Sequence, residues 1–202
     1  MIASILSLDR SAIKKFRISD PYSLHRVVYS LFLREQDGRV LYVDQGGNSL
    51  GRKILILSTD YPKKEGATSE LHVDSRVVPD GFLNYQLYRF KITLNPSKRN
   101  RATGKRQAIV GHKELISWFC FKSESQWGFV TPEKNLQIDK IEVLSFEAKD
   151  GRKITLNQVT FSGVLFPRDA ERFNRSFVAG IGSAKAFGCG LLQITPVIDN
   201  IF

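Results

Sequence analysis

The sequence predicts an α+β protein made of two tandem ferredoxin-like (RRM-like) domains, the first spanning 1–95 and the second 96–202. Three observations carry that expectation. The apolar periods of the first half run strand, helix, strand, strand, weak helix, strand, the order of a split βαβ unit. A helix, two strands, a helix and a strand then recur in the second half. A length of 202 residues leaves roughly a hundred for each half, enough for a small core.

Met1–Leu8 alternates well enough for a first strand and lacks the basic start and long apolar stretch of a signal peptide. Asp20-Pro21 follows, with Asp20 as N-cap and Pro21 at the first helical position. The helix is predicted over Tyr22–Arg34, where Leu24, Val27, Val28, Leu31 and Phe32 fall at helical spacing. Val40–Val43 and Lys53–Ser58 read as strands, with Gln45-Gly46-Gly47-Asn48 as a hairpin-type connection. Ser69–Arg76 predicts a short helix, and Tyr85–Leu94 a strand that closes the first domain before Asn95-Pro96.

In the second half His112–Phe121 predicts a helix. Leu136–Ala148 and Lys153–Leu165 predict strands meeting at Lys149-Asp150-Gly151-Arg152, where Asp150-Gly151 favours a tight type I′ turn. Pro167–Ala179 predicts a second helix and Leu191–Thr195 a last strand.

Hydrophobic residues make up 42% of the chain, an ordinary share for a globular protein. No apolar run approaches the roughly 18 residues of a membrane-spanning helix, so a soluble cytoplasmic protein is expected. The two cysteines, Cys120 and Cys189, lie far apart with no CxxC pair, and there are three histidines. Neither a zinc site nor a disulfide framework is indicated, no cofactor is implied, and both thiols are expected to be buried. The net charge of +10 calls for an acidic partner, most often nucleic acid for a compact basic protein. An anionic membrane is the other such surface. It would ask for a lysine-rich amphipathic helix, whereas the cations here fall mainly in loops and turns.

Four segments can carry chemistry. Gly180–Leu192 reads G-I-G-S-A-K-A-F-G-C-G-L-L; its glycines, Gly180 and Gly182 first among them, let the backbone approach a polyanion while Lys185 supplies charge. The same glycines also fit a helix C-cap and a tight turn. Between Asn95 and Lys113 lie Lys98, Arg99, Arg101, Lys105, Arg106 and Lys113 with no acidic residue, a gathering of like charge that needs a counter-ligand. Lys149, Arg152 and Lys153 crown the second-half hairpin, either to engage phosphates or to protect a sheet edge from aggregation. Tyr22 and His25, three residues apart, share one face of the first helix. Histidine can give or take a proton near neutrality, although a lone helical histidine also serves structure alone.

Three of these stretches resemble, in order, the motifs of the CasE family, the CRISPR repeat-RNA endoribonucleases of subtype I-E. Asp20-Pro21-Tyr22-Ser23-Leu24-His25-Arg26 is similar to the family's N-terminal Y-x-x-H motif. Asn95-Pro96-Ser97-Lys98-Arg99 with Thr103-Gly104-Lys105-Arg106 is similar to its N-P-x-K-R and T-G-K-R pattern. The glycine-rich segment followed by Thr195-Pro196 is similar to its C-terminal one. The resemblance spans Pro21 to Pro196 and implies a metal-independent cut of precursor CRISPR RNA at the repeat stem-loop. It also implies retention of the product and delivery to the other subunits of the Cascade complex.

The cleavage so implied is attack by the 2′-hydroxyl, giving a 2′,3′-cyclic phosphate and a 5′-hydroxyl. His25 would act as general acid or base with Tyr22 supporting it. The glycine-rich segment and the cations from Lys98 to Arg106 would place the backbone, and the basic hairpin would engage the stem. One departure is Ser30, where some members carry a lysine, leaving Arg26 or Lys185 to face the phosphate. A non-catalytic RNA-binding module of a ribonucleoprotein complex would show the same basic surface.

Overall fold

The computed structural model describes residues 1–32, 39–63, 71–100, 104, 106–147 and 151–198. The chain opens with β1 (Ile2–Asp9), whose alternate residues Ile2, Ser4, Leu6 and Leu8 are buried. A short helix that the sequence pattern did not announce, α1 (Arg10–Lys15), starts where the Asp9 carboxylate accepts the Ala12 amide at 2.7 Å. Helix α2 (Pro21–Ser30) follows and is shorter than expected, with Leu31 as its C-cap.

Strands β2 (Val40–Asn48) and β3 (Gly51–Ser58) form a hairpin. Asn48 pairs with Gly51, so the turn is Ser49-Leu50, and the expected Gln45–Asn48 connection is instead the outer part of β2. The register slips between Asp44 and Gly47, a bulge that takes up one extra residue. Asp44 accepts the Gly46 amide there at 2.8 Å, which explains why a turn-like sequence remains inside a strand.

Ser69–Arg76 is corrected from helix to strand over its described part. Strand β4 (His72–Val77) pairs antiparallel with β1, from Ile2 opposite Val77 to Ser7 opposite His72. The hydroxyls of Ser4 and Ser75 bond across the pair at 2.8 Å. An edge strand with one open face tolerates polar residues that give no helical stripe, and ladder pairing decides its state.

The first sheet has the order β2-β3-β1-β4, with every pairing antiparallel. That is the strand order of a ferredoxin-like unit, and its fourth strand is β4. The next strand, β5 (Tyr88–Leu94), therefore does not close the first sheet as expected. It is the missing first strand of the second sheet, so the chain crosses between sheets in the stretch from Val77 to Tyr88, ahead of Asn95-Pro96.

A two-stranded hairpin of β6 (Ser97–Arg99) and β7 (Arg106–Ala108) comes next. Helix α3 (His112–Lys122) runs into a π-helical turn, Ser123–Trp127, and the short strand β8 (Phe129–Val130). The long hairpin of β9 (Leu136–Glu147) and β10 (Lys153–Pro167) leads to α4 (Ala170–Ala179), a 3-10 turn at Lys185–Phe187 and β11 (Gln193–Pro196). The second sheet runs β11-β5-β10 with β9 on the far side of β10, the same 4-1-3-2 order repeated.

Each sheet packs its helices on one face. Leu24, Val27 and Val28 of α2 close the first core over Leu6, Ile54 and Ile56. The second core is aromatic, with Phe119 stacked near Phe90 at 5.5 Å and tilted on Phe161 at 4.7 Å. Such ring pairs contribute about 0.5–1.5 kcal/mol each beyond their buried area. A third cluster joins the halves, with Leu41, Val43 and Leu57 of the first sheet meeting Phe177 and Leu191 of the second half. No helix of the described residues is long and apolar enough to cross a membrane. Cys189 is buried, but Cys120 is only half-buried because its face of α3 borders solvent.

Candidate active site

Helix α2 is started firmly. The Asp20 carboxylate accepts the Ser23 amide at 2.7 Å, while the Ser23 hydroxyl accepts the Asp20 amide at 3.0 Å, a reciprocal capping box with Pro21 at the first position. With Leu24, Val27 and Val28 turned inward, the opposite stripe presents Tyr22, His25 and Tyr29. The Tyr22 and His25 rings lie 6.3 Å apart and nearly parallel, and the Tyr29 ring sits 4.2 Å from His25. Tyr29 is an active-face residue that the motif left unnoticed, though its place four residues after His25 puts it on the same stripe.

The glycine-rich segment forms the roof over this face. Phe187 approaches His25 at 6.1 Å, and the Ala186 carbonyl lies beside the imidazole. That carbonyl accepts the Tyr42 hydroxyl at 2.7 Å, and the Phe187 carbonyl accepts the Gln158 side-chain amide at 3.0 Å. Gly180 ends α4 at φ +72°, and a Cβ there would come within 2.6 Å of Leu41. Gly190, at φ +90°, would strike the Ile181 carbonyl oxygen at 2.5 Å. Gly180 thus serves close packing of the roof against the first half and Gly190 the packing of the roof on itself, whereas Gly182 meets only Leu94, at 3.7 Å.

Burial holds the His25 pKa below the usual imidazole value, with the Ala186 carbonyl opposing part of that effect. The imidazole is thus neutral at neutral pH, the form that accepts a proton. Its Nδ1 is buried without a hydrogen-bond partner. Burial also raises the Tyr29 phenol. The Lys185 ammonium donates to the Ala179 carbonyl at 2.8 Å, capping the end of α4, and its pKa is lowered by burial and then by Arg39. Ser30 turns back on its own helix, donating to the Val27 carbonyl at 2.7 Å, while Arg26 is exposed one residue after His25.

The basic stretch after Asn95-Pro96 carries the β6–β7 hairpin. Lys98, Arg99 and Arg106 are exposed on it, with Arg99 directly opposite Arg106. Arg101 and Lys105 lie outside the described residues. Like-charged pairs across a ladder destabilise it, so this arrangement favours an anionic ligand. Arg152 and Lys153 are exposed where β10 begins opposite Glu147, and Lys149 and the turn type at Asp150-Gly151 lie outside the described residues. The turn end of that hairpin reaches the site, since Phe146 packs on Phe187 at 5.0 Å.

A polar cleft of about 520 Å³ separates the sheets beside this face, with Asp20, Tyr42, Lys91, Gln158, Phe187 and Gln193 in its walls. His72 on β4 and His112 at the start of α3 are exposed and take no part in the cluster. Among the described residues no group of three or more His, Cys, Asp or Glu is placed to hold a metal ion.

A family model described as "CRISPR associated protein" matches residues 1–196. The chain is 27% identical over 195 residues to the CRISPR-associated endoribonuclease Cse3 of Thermus thermophilus, covering 89% of this chain and 92% of that one. It is 23% identical over 194 residues to the CRISPR system Cascade subunit CasE of Escherichia coli, covering 88% and 93%. Among solved structures, Thermus thermophilus Cse3 bound to an RNA representing a pre-cleavage complex superposes with a TM-score of 0.82 at 26% identity. The match covers 96% of this chain and 98% of that one.

Proposed function

This chain belongs to the CRISPR-associated protein family, and we propose that it is an endoribonuclease that cuts precursor CRISPR RNA at the repeat stem-loop and keeps the product as a Cascade subunit. The observation that carries the reading is the seating of His25. A neutral, half-buried imidazole faces Tyr22 and Tyr29 under a glycine-rich roof, and an exposed basic hairpin is packed against that roof.

RNA supplies its own nucleophile. In the proposed reaction the 2′-oxygen forms a bond to the adjacent phosphorus as its proton passes to His25. The bond from phosphorus to the 5′-oxygen breaks, and that oxygen takes up a proton. The products are a 2′,3′-cyclic phosphate and a 5′-hydroxyl, and no divalent metal enters the scheme. Positioned proton transfer of this kind contributes about 10²–10⁴ in rate. Tyr22 orients the imidazole. Lys98, Arg99, Arg101, Lys105 and Arg106 hold phosphates of the strand, Lys149, Arg152 and Lys153 hold the stem, and Gly180, Gly182 and Lys185 shape the loop along which the backbone passes. RNA processing of this type places the protein in the cytoplasm.

The test is a labelled repeat hairpin incubated with the wild type and with His25→Ala, each in EDTA. We expect cleavage by the wild type alone, with RNA affinity shared by both. Equal cleavage by the variant would remove His25 from the mechanism, and rescue of an EDTA-silent wild type by magnesium would overturn the metal-free scheme.

A further inference from the structure

We infer that Tyr42 is a positioning residue of the cleavage site, its hydroxyl tying the Ala186 carbonyl to the first sheet so that this carbonyl sets the orientation of His25. The inference rests on the proposed endoribonuclease reading.

Tyr42 is 1% exposed on β2, packed in the first core. A phenylalanine would fill that core equally well, and a buried hydroxyl left unpaired is costly. The hydroxyl has one partner, the Ala186 carbonyl, 144 residues away in sequence and on the other half of the molecule. That same carbonyl is the polar group beside His25, whose Nδ1 has no partner of its own. The phenol, the carbonyl and the imidazole therefore form a line from the first sheet through the roof to the reacting group.

The roof needs such a tie. Ala184 stands at φ +60°, in the left-handed region that a residue with a Cβ rarely occupies. A strained residue of this sort persists only where its surroundings fix it. Besides the backbone bonds of the segment, among them those of the Phe187 and Cys189 amides to the Ala184 carbonyl, three side-chain bonds fix it: Lys185 to Ala179, Gln158 to Phe187 and Tyr42 to Ala186. Of the three, the Tyr42 bond alone crosses to the half of the molecule that carries His25.

Tyr42→Phe isolates the hydroxyl. On repeat RNA we expect affinity to be kept and single-turnover cleavage to fall about ten- to a hundredfold, the scale of a small misplacement of a reacting group. In the free protein, NMR titration of the histidine ring signals, with His25 assigned by their loss in His25→Gln, gives a second readout. Among the described residues, the ionisable groups at that ring are Tyr22 and Tyr29 on α2, with Arg26 next to it in sequence, Tyr42 on the Ala186 carbonyl, Lys185 beside Ala186 in the roof, and Arg39 acting on Lys185. A loosened roof admits water, so the His25 titration should move up toward the ordinary value. A lower melting temperature with an unmoved His25 titration and full cleavage by the folded fraction would make Tyr42 merely structural and overturn the inference. The titration needs no RNA, so a wild type that cuts no repeat would refute the functional reading while leaving the role of Tyr42 to be decided by the ring.

Discussion

Phe146 and Phe187 meet edge to face with ring centroids 5.0 Å apart, and this contact joins the turn end of the basic hairpin to the roof over His25. Phe146 is 7% exposed and lies one residue before the end of β9. Phe146→Ala removes both a buried ring and the support of Phe187. We expect a loss of about 3–5 kcal/mol in urea unfolding, the usual cost of deleting a core phenylalanine. Cleavage per folded molecule should fall as well, and Phe146→Leu should recover most of the stability. A stable Phe146→Ala with full activity would show that the hairpin and the site are mechanically separate.

The glycines of the roof should fall into an order when each is replaced by alanine. Gly190→Ala meets a backbone oxygen at 2.5 Å, which cannot move aside easily. Gly180→Ala meets the end of the Leu41 side chain at 2.6 Å, which can turn away in part. Gly182→Ala meets nothing closer than 3.7 Å and carries only the strain of φ +76°. Thermal unfolding should therefore rank the losses Gly190, Gly180, Gly182. A Gly182→Ala that keeps most of its stability and loses RNA affinity would place the nucleic acid against that stretch of backbone, and unchanged affinity would make the glycines matters of packing.

Acid should cost this protein stability through His25. Its folded pKa is lowered by burial from the usual 6.5, so between the two values the unfolded chain binds more protons than the folded one. The contribution is fully present above the unfolded value and is lost as the pH falls below it toward the folded one. His25→Gln removes the titration and should flatten the urea midpoint against pH in that window. An equally steep fall in the variant would assign the acid sensitivity to other groups.

Much of the site was legible because it depends on local chemistry. Asp20-Pro21 announces the start of α2, and the three-residue spacing of Tyr22 and His25 puts them on one stripe. Tyr29 obeys the same spacing, but an aromatic residue at that place reads equally as core. Tyr42 and Phe187 were invisible as site residues because their roles arise from contacts across the molecule, 144 residues apart for the Tyr42 bond. The fold was legible as a repeated order of elements, yet Tyr88–Leu94 was assigned to the wrong sheet. A strand carries no mark of which sheet it will join, and a helix over Ser69–Arg76 leaves the first sheet without the fourth strand that β4 supplies. Lys98–Arg106 showed its charge plainly, while the ladder that sets Arg99 against Arg106 depends on register.

In the proposed function the hairpin cations hold the RNA. Lys153 and Arg152 are exposed where β10 leaves the turn, and Lys149 precedes them in sequence, whereas Lys98, Arg99 and Arg106 sit on a separate two-stranded hairpin. Two patches on two hairpins can contact two parts of one RNA. Each duplex phosphate neutralised should add about 0.9 to the slope of log affinity against log salt. A side chain gains little entry to the deep, narrow major groove of A-form RNA, so the β9–β10 hairpin is expected to meet the phosphates and shape of the stem. Replacing Lys149, Arg152 and Lys153 together by alanine should therefore flatten the salt slope on a repeat hairpin, and weaken that RNA far more than an unstructured RNA of equal length. Equal losses on both would reduce the hairpin to nonspecific charge. No loss on either would leave these cations as guards of an exposed sheet edge, since charged side chains there also keep two edges from pairing.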